Sequence, residues 1–167
     1  LAFRVLIVCT GNTCRSPMAE GLLTKRAREE IDSRVEVTSA GTAGFDGLPA
    51  SDYAQRVAAE NGIDLGRFRS SALDRGRIER ADLILVMAPS HREVVVREVR
   101  SAADRTFLIK EFGGAAPGTG DSVPDPIGGS IDVYREAYRQ IQAAIEGALP
   151  RLRRLAMGPD QSSRRSR

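Results

Sequence analysis

A short apolar run, Phe3 to Val8, feeds directly into Cys9-Thr10-Gly11-Asn12-Thr13-Cys14-Arg15-Ser16-Pro17, and this junction constrains the chain more than any other feature. Phe3, Val5, Leu6, Ile7 and Val8 leave almost no polar break, the pattern of a strand covered on both faces in a parallel sheet. Pro17 suits the first turn of a helix, and Ala19, Leu22, Leu23 and Ala27 recur on one helical face after it. Strand, tight loop and helix in this order put Cys9 at the carboxyl end of a strand, where α/β proteins bind ligands.

Five residues separate Cys9 from Arg15, enough for a closed loop whose N–H groups converge on an anion. Gly11 is expected to take the backbone angles that other residues avoid. The helix N-terminus beneath adds partial positive charge, which favours an anion and also the thiolate form of Cys9. Arg15 offers a planar fork for two phosphoryl oxygens. The Ser16 hydroxyl can donate to the Cys9 sulfur, and the Asn12 side chain can hold the loop by bonding to backbone. Each residue also has a plainer reading: Cys9 as a small core hydrophobe, Ser16 as a helix cap, Asn12 as a turn residue. Together, in one strand-loop-helix junction, they point to phosphate chemistry with a cysteine nucleophile.

The junction resembles the phosphate-binding loop of the low-molecular-weight protein tyrosine phosphatase family, in which a Cys, five residues, an Arg and a Ser or Thr follow one another. Val123-Pro124-Asp125-Pro126-Ile127-Gly128-Gly129 is similar to the family's late Asp-Pro segment, and Ser39-Ala40-Gly41-Thr42 to its Ser-Ala-Gly-Thr segment. The likeness runs from about residue 3 to residue 150. It implies a three-layer α/β/α fold with a four-stranded parallel sheet and the phosphate-binding loop between the first strand and the first helix. It also implies roles. Cys9 attacks phosphorus to give a cysteinyl-phosphate; Thr10, Gly11, Asn12, Thr13, Cys14 and Ser16 hold the phosphoryl group together with Arg15; Ser39 supports the loop through Asn12. Asp125, its backbone restricted between two prolines, protonates the leaving group and then activates the hydrolytic water. This chemistry calls for no metal and no cofactor. A phosphate-binding module without turnover is the other class, and it would have no need of the acid.

The substrate clue is Thr13, because tyrosine-specific members of the family usually carry a bulky aliphatic residue there, commonly Ile, whereas a Thr resembles the bacterial protein-arginine phosphatases. A hydroxyl at this position suits a polar guanidinium, and a hydrophobic wall suits a phenyl ring. The expected partners are therefore phosphorylated proteins, with phosphoarginine favoured over phosphotyrosine. Ile127-Gly128-Gly129-Ser130-Ile131-Asp132-Val133-Tyr134 is similar to the same branch, except that an aromatic commonly stands where this chain has Ile127. Ile127 is expected to line the pocket, with Phe45 and Asp46 on the opposite wall. Near Arg67-Phe68-Arg69-Ser70, family members often have a His that supports the loop, and this chain has none.

At 167 residues and 41% hydrophobic content, the chain has material for one domain with an ample core. Strands are expected at 3–9, 35–38, 82–87 and 106–109, and helices near 17–31, 51–61, 89–100 and 131–149. The phosphatase domain is expected over 1–150. The net charge of +3 divides into +5 on residues 151–167 and −2 on the rest, which marks a solvated, disordered basic tail rather than a nucleic-acid-binding surface. Residues 113–120, rich in Gly, Ala and Pro, read as a flexible lead into the acid loop.

Cys9 and Cys14 are the only cysteines, which argues for a reducing compartment. Without a signal peptide or an apolar span, a cytoplasmic protein with no membrane partner is expected. The same pair could form a reversible disulfide that protects the nucleophile, or Cys14 could simply pack beneath the loop. Arsenate reductases of this fold need further cysteines downstream, and none follow Cys14. The single histidine, His91, is expected as a partly exposed helix residue with no catalytic part.

Overall fold

The computed structural model describes residues 1–115 and 120–158. Strands β1 (Phe3–Cys9), β2 (Val35–Gly41), β3 (Leu83–Val86) and β4 (Thr106–Leu108) form one parallel sheet in the order β2-β1-β3-β4. Parallel pairing explains the apolar run of β1, since both faces are covered. Val5, Ile7 and Cys9 face one core layer with Leu83 and Leu85, while Leu6 and Val8 face the other with Ile84 and Val86.

Helices α1 (Arg15–Glu30), α2 (Asp52–Glu60), α5 (Ile109–Phe112) and α6 (Ile131–Met157) pack on the first face. Helices α3 (Arg75–Arg80) and α4 (Pro89–Glu98), with the 3-10 turn Arg100–Arg105, cover the second. This is the three-layer α/β/α arrangement expected. The connection from β1 leads to β2 on one side, and the chain then crosses to β3 on the other. The carboxyl end of β1 is therefore a topological switch point, and Cys9 is its last residue.

The basic tail does not begin at residue 151. Helix α6 runs through Pro150 to Met157, and Leu152 is fully buried. Pro150 lacks the N–H that an unbroken helix would direct at Glu146, a cost of about 3 kcal/mol. Burial of Leu152 contributes about 2–3 kcal/mol. The Arg151 guanidinium lies 4.6 Å from the Phe107 ring centroid and 4.4 Å from that of Phe112, and two such contacts add about 1 kcal/mol or more. Tertiary packing thus outweighs the helix breaker. Residues 159–167 lie outside the described residues, as do residues 116–119 of the segment read as a flexible lead. Among the described residues, no helix is long and apolar enough to cross a membrane.

The other expected elements appear within a few residues of their expected bounds. The short helices α3 and α5 and the 3-10 turn were not anticipated, because four to six residues are too few to show a helical period.

Candidate active site

The loop from Cys9 to Arg15 bridges β1 and α1 and closes on its own sulfur: the Asn12 N–H points at Cys9 Sγ at 3.2 Å. The left-handed backbone falls on Asn12, at φ 58°, and not on Gly11 as expected. Asparagine tolerates this region better than most residues. A Cβ at Gly11 would meet only Thr13 Oγ1 at 3.7 Å, an ordinary contact. The glycine that the loop does require is Gly41, where a Cβ would fall 2.4 Å from the Thr10 carbonyl oxygen. Thr42 and Ala43 then donate to the carbonyls of Cys9 and Thr10, fastening the loop to the end of β2. Among the described residues, the N–H groups of Gly11, Thr13 and Cys14 make no hydrogen bond, so they are the loop's free donors.

Beneath the loop, Asn12 is completely buried and uses its whole amide. Nδ2 donates to Ser16 Oγ at 2.7 Å and to Ser39 Oγ at 2.9 Å, while Oδ1 accepts from the Ser71 N–H at 2.7 Å. Because Ser16 Oγ accepts from Asn12, its proton is free for Cys9 Sγ, 2.8 Å away. Ser39 likewise accepts from Asn12 and donates to Glu20. Burial pushes the Glu20 carboxyl above its ordinary range, and the Ser39 hydrogen bond offsets part of that. This chain of side chains holds Asn12 from beneath the loop. Glu20 and Ser71 are its unanticipated members, since neither stands in a motif that sequence alone would single out.

Arg15, 6% exposed, is reached from the acid loop. Its Nη1 donates to the Val123 carbonyl at 2.9 Å, and its Nη2 lies 3.6 Å from Asp125 Oδ2. The buried Val123 also donates its N–H to the Met87 carbonyl at 2.9 Å, so the segment is tied to the end of β3 as well. Asp125 Oδ1 accepts from the Ile127 N–H at 3.1 Å, an Asx turn that orients the carboxyl, which remains 41% exposed. Ile127 is 70% exposed beside it. Phe45 is exposed, whereas Asp46 is engaged through Oδ1 with the Ala72 N–H at 2.8 Å.

Thr13 is half-buried, with Oγ1 3.8 Å from Cys14 Sγ. Cys14 packs beneath the loop, its sulfur 3.3 Å from Tyr134 Oη and 3.5 Å from Ser51 Oγ, and both cysteines are free thiols. Burial and the contact with Cys14 push the Tyr134 phenol above its usual value.

His91 departs from expectation. It is only 3% exposed, and its Nε2 lies 2.8 Å from Thr10 Oγ1 in the loop itself. Burial, with Arg15 nearby, holds its pKa down to about 4, against a smaller opposing pull from Asp125. The signal was present in the spacing: His91, Val95 and Val99 follow one another at intervals of four, and the two valines are buried.

A cysteine sulfur enclosed by a loop with free N–H donors, an arginine at the end of that loop and a carboxyl group 3.6 Å from the arginine define the class of cysteine-dependent phosphatases. The chain belongs to the low molecular weight phosphotyrosine protein phosphatase family, whose sequence model it matches over residues 4–157. It is 39% identical over 146 residues to a protein-arginine-phosphatase of Geobacillus stearothermophilus, covering 87% of this chain and 93% of that protein. It is 33% identical over 151 residues to the probable low molecular weight protein-tyrosine-phosphatase EpsP of Ralstonia nicotianae, covering 90% and 97%. The structure of the YwlE arginine phosphatase from Geobacillus stearothermophilus superposes with a TM-score of 0.80 at 39% identity, over 90% of this chain and 92% of that one.

Proposed function

We propose that this protein removes phosphate from phosphoarginine side chains of proteins through a cysteinyl-phosphate on Cys9. The observation that carries the substrate reading is the half-buried Thr13, which brings a hydroxyl into the loop beside the Cys14 sulfur. A polar guanidinium tolerates such a neighbour, whereas a phenyl ring gains more from an aliphatic one. Ile127, exposed beside Asp125, stands where the arginine-phosphatase branch commonly carries an aromatic, so the reading rests on Thr13 and not on Ile127. The higher identity to the Geobacillus enzyme than to the Ralstonia one lends support.

In the proposed cycle the Cys9 thiolate attacks phosphorus, an S–P bond forms, and the P–N bond to the guanidine breaks. Asp125 gives its proton to the departing nitrogen. Water then attacks phosphorus, Asp125 takes up the water proton, and the S–P bond breaks to release inorganic phosphate. Arg15 and the free loop N–H groups hold the equatorial oxygens throughout.

The test is kcat/KM on a phosphoarginine protein and on a phosphotyrosine peptide, for wild type and Thr13→Ile. The wild type should prefer phosphoarginine, and Thr13→Ile should shift the ratio towards phosphotyrosine by about tenfold or more. A phosphotyrosine preference in the wild type would keep the mechanism and reassign the substrate. An unchanged ratio in the variant would remove Thr13 as the selector.

A further inference from the structure

The mechanism gives no task to His91, a buried titratable group at the site. His91 sits in the first turn of α4, just beyond β3, and reaches the loop at the end of the neighbouring β1. Its Nε2 meets Thr10 Oγ1 at 2.8 Å, and Arg15 Nη2 approaches the same oxygen at 3.5 Å. Its Nδ1 is buried and has no hydrogen-bond partner among the described residues.

These contacts select one proton arrangement. An imidazolium would bring two N–H donors to a place with one acceptor, so the ring is neutral. With the proton on Nδ1, a buried donor would go unpaired, a loss of about 1–3 kcal/mol. With the proton on Nε2, it is donated to Thr10 Oγ1 and only a lone pair is left over. Thr10 Oγ1 then accepts from His91 and from Arg15, which occupies both of its lone pairs. Its own hydroxyl proton has to point away from both, and Thr10 as a residue is exposed, which leaves that proton free for a ligand.

We propose that His91 is a positioning residue of the phosphate site: its Nε2–H holds the Thr10 oxygen as a joint acceptor for His91 and Arg15, fixing the arginine fork and leaving the Thr10 O–H to donate to a bound phosphoryl oxygen. This rests on the reading of the Cys9–Arg15 loop as a phosphoryl site, and it goes beyond that reading by assigning work to a residue outside the loop and to one tautomer of it.

Two measurements test it. His91 is the chain's only histidine, so its imidazole nitrogens are assigned in NMR spectra without further labelling schemes. The Nε2–H tautomer should persist from about pH 5 to 8, and its signals should move in Thr10→Val. An Nδ1–H tautomer, or an imidazolium in this range, would overturn the proposal whether or not the protein turns over substrate.

The second measurement uses amide geometry. Gln can place its amide nitrogen where Nε2 stands, whereas Asn reaches only the place of Nδ1. With p-nitrophenyl phosphate, His91→Gln should keep kcat within about threefold of wild type, while His91→Asn should lose about tenfold in kcat with a smaller change in KM. Thr10→Val should match His91→Asn, and the double variant should lose no more than either. Equal losses in the Gln and Asn variants, or additive losses in the double variant, would reduce His91 to a packing residue. The same order should hold for the affinity of inorganic phosphate. A protein that bound phosphate in this order without Cys9-dependent turnover would contradict the phosphatase reading and support this one.

Discussion

Arg15 Nη2 stands 3.6 Å from Asp125 Oδ2, while its Nη1 holds the carbonyl of Val123 two residues earlier. The residue proposed to grip the phosphoryl group is therefore tied to the segment that carries the proposed acid. In the proposed mechanism one guanidinium would couple binding to proton delivery, and a second tie from Val123 to Met87 fixes the Asp125 segment to the end of β3.

The acid can be isolated by leaving-group dependence. Asp125→Asn should lower kcat by about 100-fold on phenyl phosphate and by about tenfold or less on p-nitrophenyl phosphate, whose leaving group departs almost unaided. Steady-state rates on the two substrates check this, and an equal loss on both would point to another acid.

Ser16 is placed as a donor to Cys9 because Asn12 already donates to Ser16. Ser16→Ala removes a hydrogen bond to a charged group, about 1.5–3 kcal/mol, so kcat should fall by about 10- to 100-fold. Tm should change much less than the rate. A variant that loses Tm but keeps kcat would make Ser16 a structural cap.

Leu152 measures how far the domain extends. Leu152→Ala should destabilise by about 2–5 kcal/mol in denaturant titration, since the side chain is fully buried. A loss under about 0.5 kcal/mol would return residues 151–157 to a surface tail.

Acid stability carries the mark of His91. Its folded pKa, about 4, lies below the unfolded value near 6.5, so the unfolded chain takes up the proton first. This contribution to stability is complete above about pH 6.5 and is lost as pH falls towards 4. Between about pH 7 and 5, wild type should lose about 1–2 kcal/mol more than His91→Gln. Chemical denaturation at the two pH values gives the difference. Equal losses would place His91 in contact with water.

The sheet and the loop were legible because a doubly covered strand is written as a nearly continuous apolar run, and Phe3 to Val8, broken only at Arg4, is one. Cys9, Arg15 and Ser16 stand together because the loop is local and its spacing is fixed by covalent geometry, whereas Ser39 reaches Asn12 through the parallel pairing of β1 and β2. Three features were not legible for identifiable reasons. Pro150 is a local stop signal, and it was overruled by contacts with Phe107 and Phe112 that lie far away in sequence. The turn at Gly11 moved to Asn12 because a buried amide with partners on Ser16, Ser39 and Ser71 over-determines that backbone. Glu20 stands in an ordinary helical position, and only the fold brings it under Ser39. His91 was legible and misread: its place on the Val95–Val99 stripe marked it as buried.

The most direct measurement is acid-quenched mass spectrometry of the protein mixed with substrate for less than one turnover. Phosphate should be found on Cys9 within the peptide that carries the loop, it should accumulate in Asp125→Asn, and it should be absent in Cys9→Ala. Phosphate release at full rate with no adduct on Cys9, or with the adduct on Cys14, would contradict a mechanism in which the Cys9 sulfur carries the phosphoryl group.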